Sequence, residues 1–322
     1  MNLRTKLLLG IGIALIVTFA VVAIFSIISM ESSYRALEEK EVITTVQRAQ
    51  SSLTTDQKNM QSVTRDYAAW TDTYHFARGE YSEWIATNMG NDFFERFNLQ
   101  GVIVLNQSGD LVFSKGYDPE KKQGTILPGD LILKVQKTSR ETGILSSSEG
   151  HYQVITDASG PLVLSSHPIL TDTFEGPSSG SLHLVRKVDD RYLSDLSERA
   201  GKTVTVLPAP AILENTSFSA ITAGISPDPV VVVIAESATT VAGYTPMEGL
   251  ESPGAYYLKV SEPRTIYQSG QNTILTFILS LLGAAVFIIA FVLLLIDRIV
   301  LSRLNTIIST VRKNKDAEAP GG

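Results

Sequence analysis

The sequence predicts an α+β protein carried between two transmembrane helices, with a long N-terminal helix packed on antiparallel sheets. Three observations lead there. Two charge-free apolar runs bracket the chain, a proline-free segment after the first repeats apolar residues at three- and four-residue intervals, and the rest breaks into short runs bounded by Gly, Ser, Asp and Pro.

The apolar runs are Leu7–Ser29 and Ile274–Ile296. Each, at about 23 residues, rises roughly 35 Å as helix, enough to cross a hydrocarbon core of about 30 Å. A mean hydropathy of +0.12 agrees. The first run is longer than the apolar region of a cleaved signal peptide, and "SIISMESS" offers no alanine-based cleavage site, so it reads as a retained anchor. Arg4 and Lys6 precede the first run, and Arg298, Arg303, Arg312, Lys313 and Lys315 follow the second. The positive-inside rule then makes residues 1–6 a cytoplasmic tail and leaves residues 30–273 outside, with both termini in the cytoplasm.

The flanks hold seven basic and three acidic residues of the 27 and 33 in the chain, which leaves 20 basic and 30 acidic residues outside, net −10. An acidic exterior argues against nucleic acid, which requires a basic stripe, and favours neutral or cationic partners. The absence of cysteine excludes disulfides, thiolate metal sites and cysteine nucleophiles. No cofactor is expected.

From Glu31 to Trp84 there is no proline and one glycine, Gly79. Val46, Ala49, Leu53, Met60, Val63, Tyr67, Trp70 and Tyr74 recur three or four apart, with Asp56 alone off pattern. That is a heptad seam, and the simplest reading continues the first membrane helix outward through residues 30–90. After Asn91, "GVIVLN" (101–106), "LVFSK" (111–115), "LVLSSH" (162–167) and "SLHLVRKV" (181–188) read as strands. Turns at "SGDLVF", "SGPLVL" and "SGSLHL" suit an antiparallel arrangement. Helices are expected at 128–138, opened by Asp130, and at 189–200, ended by Gly201. Four further strands, "KTVTVLP", "PVVVVIAE", "TTVAGYT" and "AYYLKVSE", surround a Pro/Ser-rich loop from Pro208 to Pro229. The expected organisation is thus a distal domain at 91–190, a smaller membrane-proximal sheet domain at 191–273, the second span at 274–296 and a cytoplasmic helix over 297–322. In that helix Leu301, Leu304, Ile308 and Val311 repeat the 3-4 spacing.

Candidate functional residues lie first in "RDYAAWTDTYHF" (65–76). On one continuous helix Tyr67, Trp70 and Tyr74 share a face, and Asp72 falls on another with Arg65, Ala68, Ala69 and His75. Either the rings pack against the sheet and Asp72 serves as an ion pair or cap, or Trp70, Asp72 and Tyr74 contact a ligand. Asp66 and Asp72 stand about 240° apart on that helix and cannot flank one scissile bond. Ser165 and His167 on one strand, and Arg186 on another, mark either a pocket face or a solvated face. "GPSSG" (176–180) matches the G-x-S-x-G pattern, but it lacks the preceding strand and following helix of a nucleophile elbow and reads as a turn. The four histidines show no i, i+4 metal spacing.

"DYAAWTDTYHF", followed by "NDFFERFNLQGVIVLNQSGDLVFSKGYD", resembles the fourth class of the CHASE domains, extracellular sensory domains associated with histidine kinases and cyclases. The residues that carry the resemblance are Asp66, Ala68, Trp70, Asp72, Tyr74, Asn106, Gly109, Gly116, Tyr117 and Asp118, with "GSLHLVRKVDDRYLSDL" and "SEPRTIYQSG" similar to later segments of the pattern. It spans about residues 60–270 and departs at Thr71, where the usual Asp of a Trp-Asp pair is replaced, leaving Asp72 to serve. Residues 298–315 resemble the first helix of a HAMP linker, although Arg303 stands where a proline is common and a second helix is missing.

The resemblance implies Cache-like or PAS-like sheets, distal and membrane-proximal modules on a long helix, a homodimer, and Tyr117 as a further ligand candidate. The expected function is the ligand-sensing input region of a dimeric receptor in the membrane. It would take a small-molecule or solute ligand and pass a helix displacement to a cytoplasmic output domain in the same parent chain, a histidine kinase by family analogy. On this reading the sequence is part of a longer protein and is not itself an enzyme. A membrane-tethered hydrolase, or an assembly protein that dimerises without a ligand, stands as the alternative.

Overall fold

The computed structural model describes residues 3–157, 160–174, 177–213, 231–247, 256–295 and 298. The chain divides into two compact units, residues 1–40 with 264–322, and residues 41–263. Helix α1 (Leu3–Ala68) contributes to both.

In the first unit, α1 is joined by the last described helix, α8 (Thr265–Leu295). Both are long and apolar enough to cross a membrane, by length and composition. Side chains such as Phe25 and Phe287 face outward, as lipid contact requires. At one level α8 comes so close to α1 that a Cβ on Gly270 would lie 2.4 Å from the Tyr34 ring. Next to it, Arg264 donates to both carboxylate oxygens of Glu38 at 2.9–3.3 Å and lies 4.1 Å over the Tyr267 ring. The helix expected over 297–322 lies outside the described residues, apart from Arg298.

The second unit is built on two antiparallel sheets. The first comprises β1 (Gly101–Asn106), β2 (Leu111–Asp118), β3 (Gln123–Thr125), β4 (His151–Asp157), β5 (Gly160–Pro168) and β6 (Gly180–Lys187), in the order β3-β2-β1-β6-β5-β4. The second comprises β7 (Thr203–Pro208), β8 (Val232–Ala235), β9 (Thr240–Pro246) and β10 (Tyr256–Pro263), in the order β7-β10-β9-β8. The first sheet is covered on both faces. Ile103, Leu105, Leu164 and Val185 meet Leu131 and Val135 of α5 (Gly129–Glu141), whereas Val102, Val104, Val163, Leu182 and Leu184 turn into the main core with α1. Double coverage explains why "GVIVLN" is apolar throughout rather than alternating. The same core runs under the second sheet, where Gly243 lets α1 approach: a Cβ there would meet Val42 and Val46 at 2.6–2.7 Å.

α6 (Asp190–Ala200) follows its local signals: the Asp189 side chain accepts from Tyr192 N at 2.9 Å, and Gly201, at φ 70°, ends it. Two expectations need correction. α1 does not run through residue 90; it stops at Ala68, and Trp70 takes an extended conformation (φ −77°, ψ 135°) before α2 (Thr71–Ala77). No proline or glycine marks the break. The buried Thr73 hydroxyl donates to Tyr67 O at 2.7 Å and so satisfies a carbonyl at the helix end. α3 (Trp84–Asn88) and α4 (Asn91–Phe97) complete the segment.

The heptad seam faces the chain's own sheets, as expected of a long helix packed on them: Val46, Ala49 and Met60 are buried in the protomer core, with Leu53, Val63, Tyr67 and Tyr74 packed against it. The second correction lies in the expected Pro/Ser-rich loop: α7 (Ala209–Leu213) occupies its start, and residues 214–229 lie outside the described residues.

Candidate functional site

The seven candidate residues do not converge on one pocket. Trp70, at the break between α1 and α2, keeps 38% of its surface exposed and leans on Tyr67 at 4.4 Å. It is not a core anchor; that place is taken by Trp84, fully buried and stacked on Phe76 at 5.1 Å. Asp72 is exposed in the first turn of α2. Tyr74 lines a polar cleft with Arg78, Asn106 and Ser179. Tyr117 is buried, stacked on Phe94 at 5.3 Å, and its hydroxyl donates to Glu95 at 2.6 Å. Burial and that carboxylate push its phenol up to about 12. Ser165 is buried and shares a 2.7 Å hydrogen bond with Thr64 of α1. His167 and Arg186 line two separate clefts. Neither Ser165 nor His167 is on a solvated face, because α1 covers that side of β5.

The cleft around Arg186 has a cavity volume of about 250 Å³ and is walled by four elements. α1 supplies Asp56, Asn59, Met60 and Val63; the end of α4 supplies Arg96, Phe97, Asn98 and Leu99; β6 supplies Leu184 and Arg186; α6 supplies Tyr192 and Asp195. Its corner depends on Asn98, which closes α4 in the left-handed conformation (φ 48°, ψ 54°). That turn presents the Phe97 and Asn98 carbonyls, and Arg186 donates to them at 2.8 and 3.1 Å, a cation at a helix C-terminus. Across the cleft, Arg199 grips both oxygens of Asp56 at 2.8 and 2.7 Å and meets Asp195 at 3.1 Å, while Tyr192 donates to Asp56 at 3.2 Å. Burial raises the Asp56 pKa, but the hydrogen bonds and charge of Arg199 outweigh it and hold the carboxyl below its ordinary value. Burial also pushes the Tyr192 phenol up.

The cleft therefore joins paired charges of both signs to the rings of Phe97 and Tyr192, a lining that suits a small polar solute. Asp56, Tyr192 and Arg199 were missed from the sequence. One signal was present: Asp56 is the single residue off the apolar repeat of α1, and a carboxylate in such a stripe needs a buried partner.

Ser181 and Ser166 place their hydroxyls 2.7 Å from the two ring nitrogens of His183, with Ser139 at 3.2 Å. This resembles an activated serine only in its distances. The ring is fully buried, burial lowers its pKa to about 3, and a substrate has no path to it. Of "GPSSG", Gly176 lies outside the described residues, and residues 177–180 lead directly into β6, with Ser178 bonded to both N and O of Gly180.

With this geometry in view, residues 52–207 match the CHASE4 domain. The whole chain is 23% identical to the methanogenesis regulatory histidine kinase FilI of Methanothrix harundinacea, and spans 35% of that protein. The crystal structure of the extracellular domain of vpHK1S-Z8 superposes on 74% of this chain and 95% of its own, with a TM-score of 0.52 at 12% identity, a likeness of fold. Paired antiparallel sheets on one long helix, between two apolar helices, are the setting in which the match to the CHASE4 domain falls.

Proposed function

We propose that the chain is the extracytoplasmic input region of a dimeric, two-span receptor whose parent protein is a histidine kinase. Residues 30–273 lie outside and both termini in the cytoplasm, in keeping with the basic flanks. The module at 91–190 is distal and that at 191–273 is next to the membrane. The observation that carries this reading is that α1, an unbroken helix from Leu3 to Ala68, is itself a wall of the Arg186 cleft through Asp56, Asn59, Met60 and Val63. A solute held there contacts the helix that leads to the first apolar run. The segment performs no chemistry; a solute acts by preferring one of two arrangements, and each tenfold preference shifts their balance by about 1.4 kcal/mol.

The test is a fusion of residues 1–322 to the HAMP and kinase core of a heterologous histidine kinase, reconstituted in liposomes and assayed for autophosphorylation against amino acids, short carboxylates and phosphate. At least one should change the rate, and Arg186→Gln should abolish the response while autophosphorylation persists. A rate indifferent to every solute, with a folded input region, would sink the proposal and favour a ligand-independent assembly role.

A further inference from the structure

A second cleft, of about 330 Å³, separates α1 from the end of β5. Its helical wall is Lys58, Gln61, Ser62 and Arg65, spaced i, i+3, i+4 and i+7 and therefore on one face. Its opposite wall is Gly150, Ser166 and His167. We propose that this cleft is a binding site for a small oxyanion, a carboxylate or a phosphate, held between Lys58, Arg65 and the His167 ring.

Three observations converge. Among the described residues of the 41–263 unit, Arg78, Arg96, Lys121, Lys137, Arg140, Arg199, Lys202 and Lys259 each meet a carboxylate. Lys58 and Arg65 meet none there, and Arg65 makes only a contact at 5.4 Å over the Phe174 ring. In a region with 30 acidic and 20 basic residues, a cleft lined by two cations and no carboxylate runs against the overall charge.

His167 is the second observation. Its residue surface is 6% exposed, and its Nδ1 engages Pro168 O at 2.9 Å. That bond makes Nδ1 the protonated nitrogen and leaves Nε2 without a partner among the described residues, on a ring that lines the cleft. Burial, with Arg65 adding to it, holds the ring below its ordinary pKa against the opposing pull of Asp66 and the Pro168 carbonyl. With its proton on Nδ1 the neutral ring accepts at Nε2 from a protonated phosphate oxygen, whereas a bound carboxylate would favour the protonated ring, which donates from Nε2.

The third is Gly150. Its conformation requires no glycine, but a Cβ there would stand 2.7 Å from His167 Cδ2 and 3.0 Å from Ser166 O, so a side chain would displace the ring from the cleft wall. Lys58 and Arg65 lie about 10 Å apart along the helix, within reach of a common anion through their flexible side chains.

The proposal goes beyond the sensory reading by adding a second site with its own ligand class, and direct binding keeps the two separable. The full chain in nanodiscs of neutral lipid is titrated by calorimetry with acetate, succinate and inorganic phosphate at constant ionic strength. At least one should saturate. Lys58→Gln and Arg65→Gln should each weaken it tenfold or more, with an unchanged melting temperature in its absence, whereas Lys137→Gln on α5 should bind as the parent does. The succinate and phosphate arms decide between the two oxyanion chemistries. No saturable binding by any of the three, or equal affinity in the Lys58 and Arg65 variants, overturns the site. If the kinase fusion still answers another solute, the sensory reading survives that result.

Discussion

Replacing Trp84 with Ala should destabilise the 41–263 unit by about 3–5 kcal/mol, because a fully buried indole stacked on Phe76 leaves a cavity that the neighbours cannot fill. Trp70→Ala should cost only about 1 kcal/mol, the worth of its ring contact with Tyr67. Thermal unfolding of the two variants side by side checks the assignment, and reversed magnitudes would refute it. His183 sets a pH dependence. Its folded pKa is lowered to about 3 by burial, whereas the unfolded imidazole titrates near its ordinary value of about 6.5. The unfolded chain therefore binds the extra proton, and stability that is complete above pH 6.5 falls as the pH drops, by about 1.4 kcal/mol per unit. Asp56, held low by Arg199, adds its own loss at still lower pH. Denaturant midpoints measured from pH 7 to 4 should show the slope, and His183→Gln should reduce it above pH 5, where carboxylates contribute little and the remainder comes from His167, whose ring burial also holds low.

Among the elements, α1 and α8 are held together in their unit by two features of different kind. Gly270 allows the approach to Tyr34, and the Glu38–Arg264 pair fixes the register with three hydrogen bonds from a guanidinium and carboxylate that are both largely buried. Arg264→Ala leaves Glu38 buried without that partner and should cost about 3–5 kcal/mol. Gly270→Leu should separate the helices by steric overlap. Thermal unfolding of the detergent-solubilised chain should come lower in Gly270→Leu than in the parent; equal midpoints would show that the glycine is not needed for the approach. α6 illustrates the opposite case, an element that local chemistry nearly specifies. Asp189→Ala should cost about 1 kcal/mol of stability by removing its N-cap bond.

For the molecule as a whole, the topology proposed above makes a sharp expectation. Single cysteines introduced at Lys137 and at Ser302 should react from opposite sides of a sealed vesicle with a membrane-impermeant maleimide. Labelling of both from one side would overturn the two-span orientation. The lack of any native cysteine makes each label unambiguous.

The elements legible from residue order alone are those whose cause is local. Two apolar runs are membrane-length helices in any context, and α6 carries its own cap and stop at Asp189 and Gly201. The strands of both sheets lie where β-branched runs meet Gly and Pro, and the CHASE4 motif residues could be read in place. β3, β4 and α4 escaped because their sequences are mixed and gain their structure from neighbours.

The end of α1 was hidden for a physical reason: a hydroxyl on Thr73, not a glycine or proline, receives the chain at Ala68, and such a contact exists only after the segment has folded back. The seam of α1 likewise has the same period whether it faces a partner or a sheet, so its occupant became known from the burial of Val46, Ala49 and Met60. The two clefts belong to that same class. Asp56 meets Arg199 across 143 positions, and Lys58 and Arg65 face His167 across about a hundred, distances along the chain that no periodicity records.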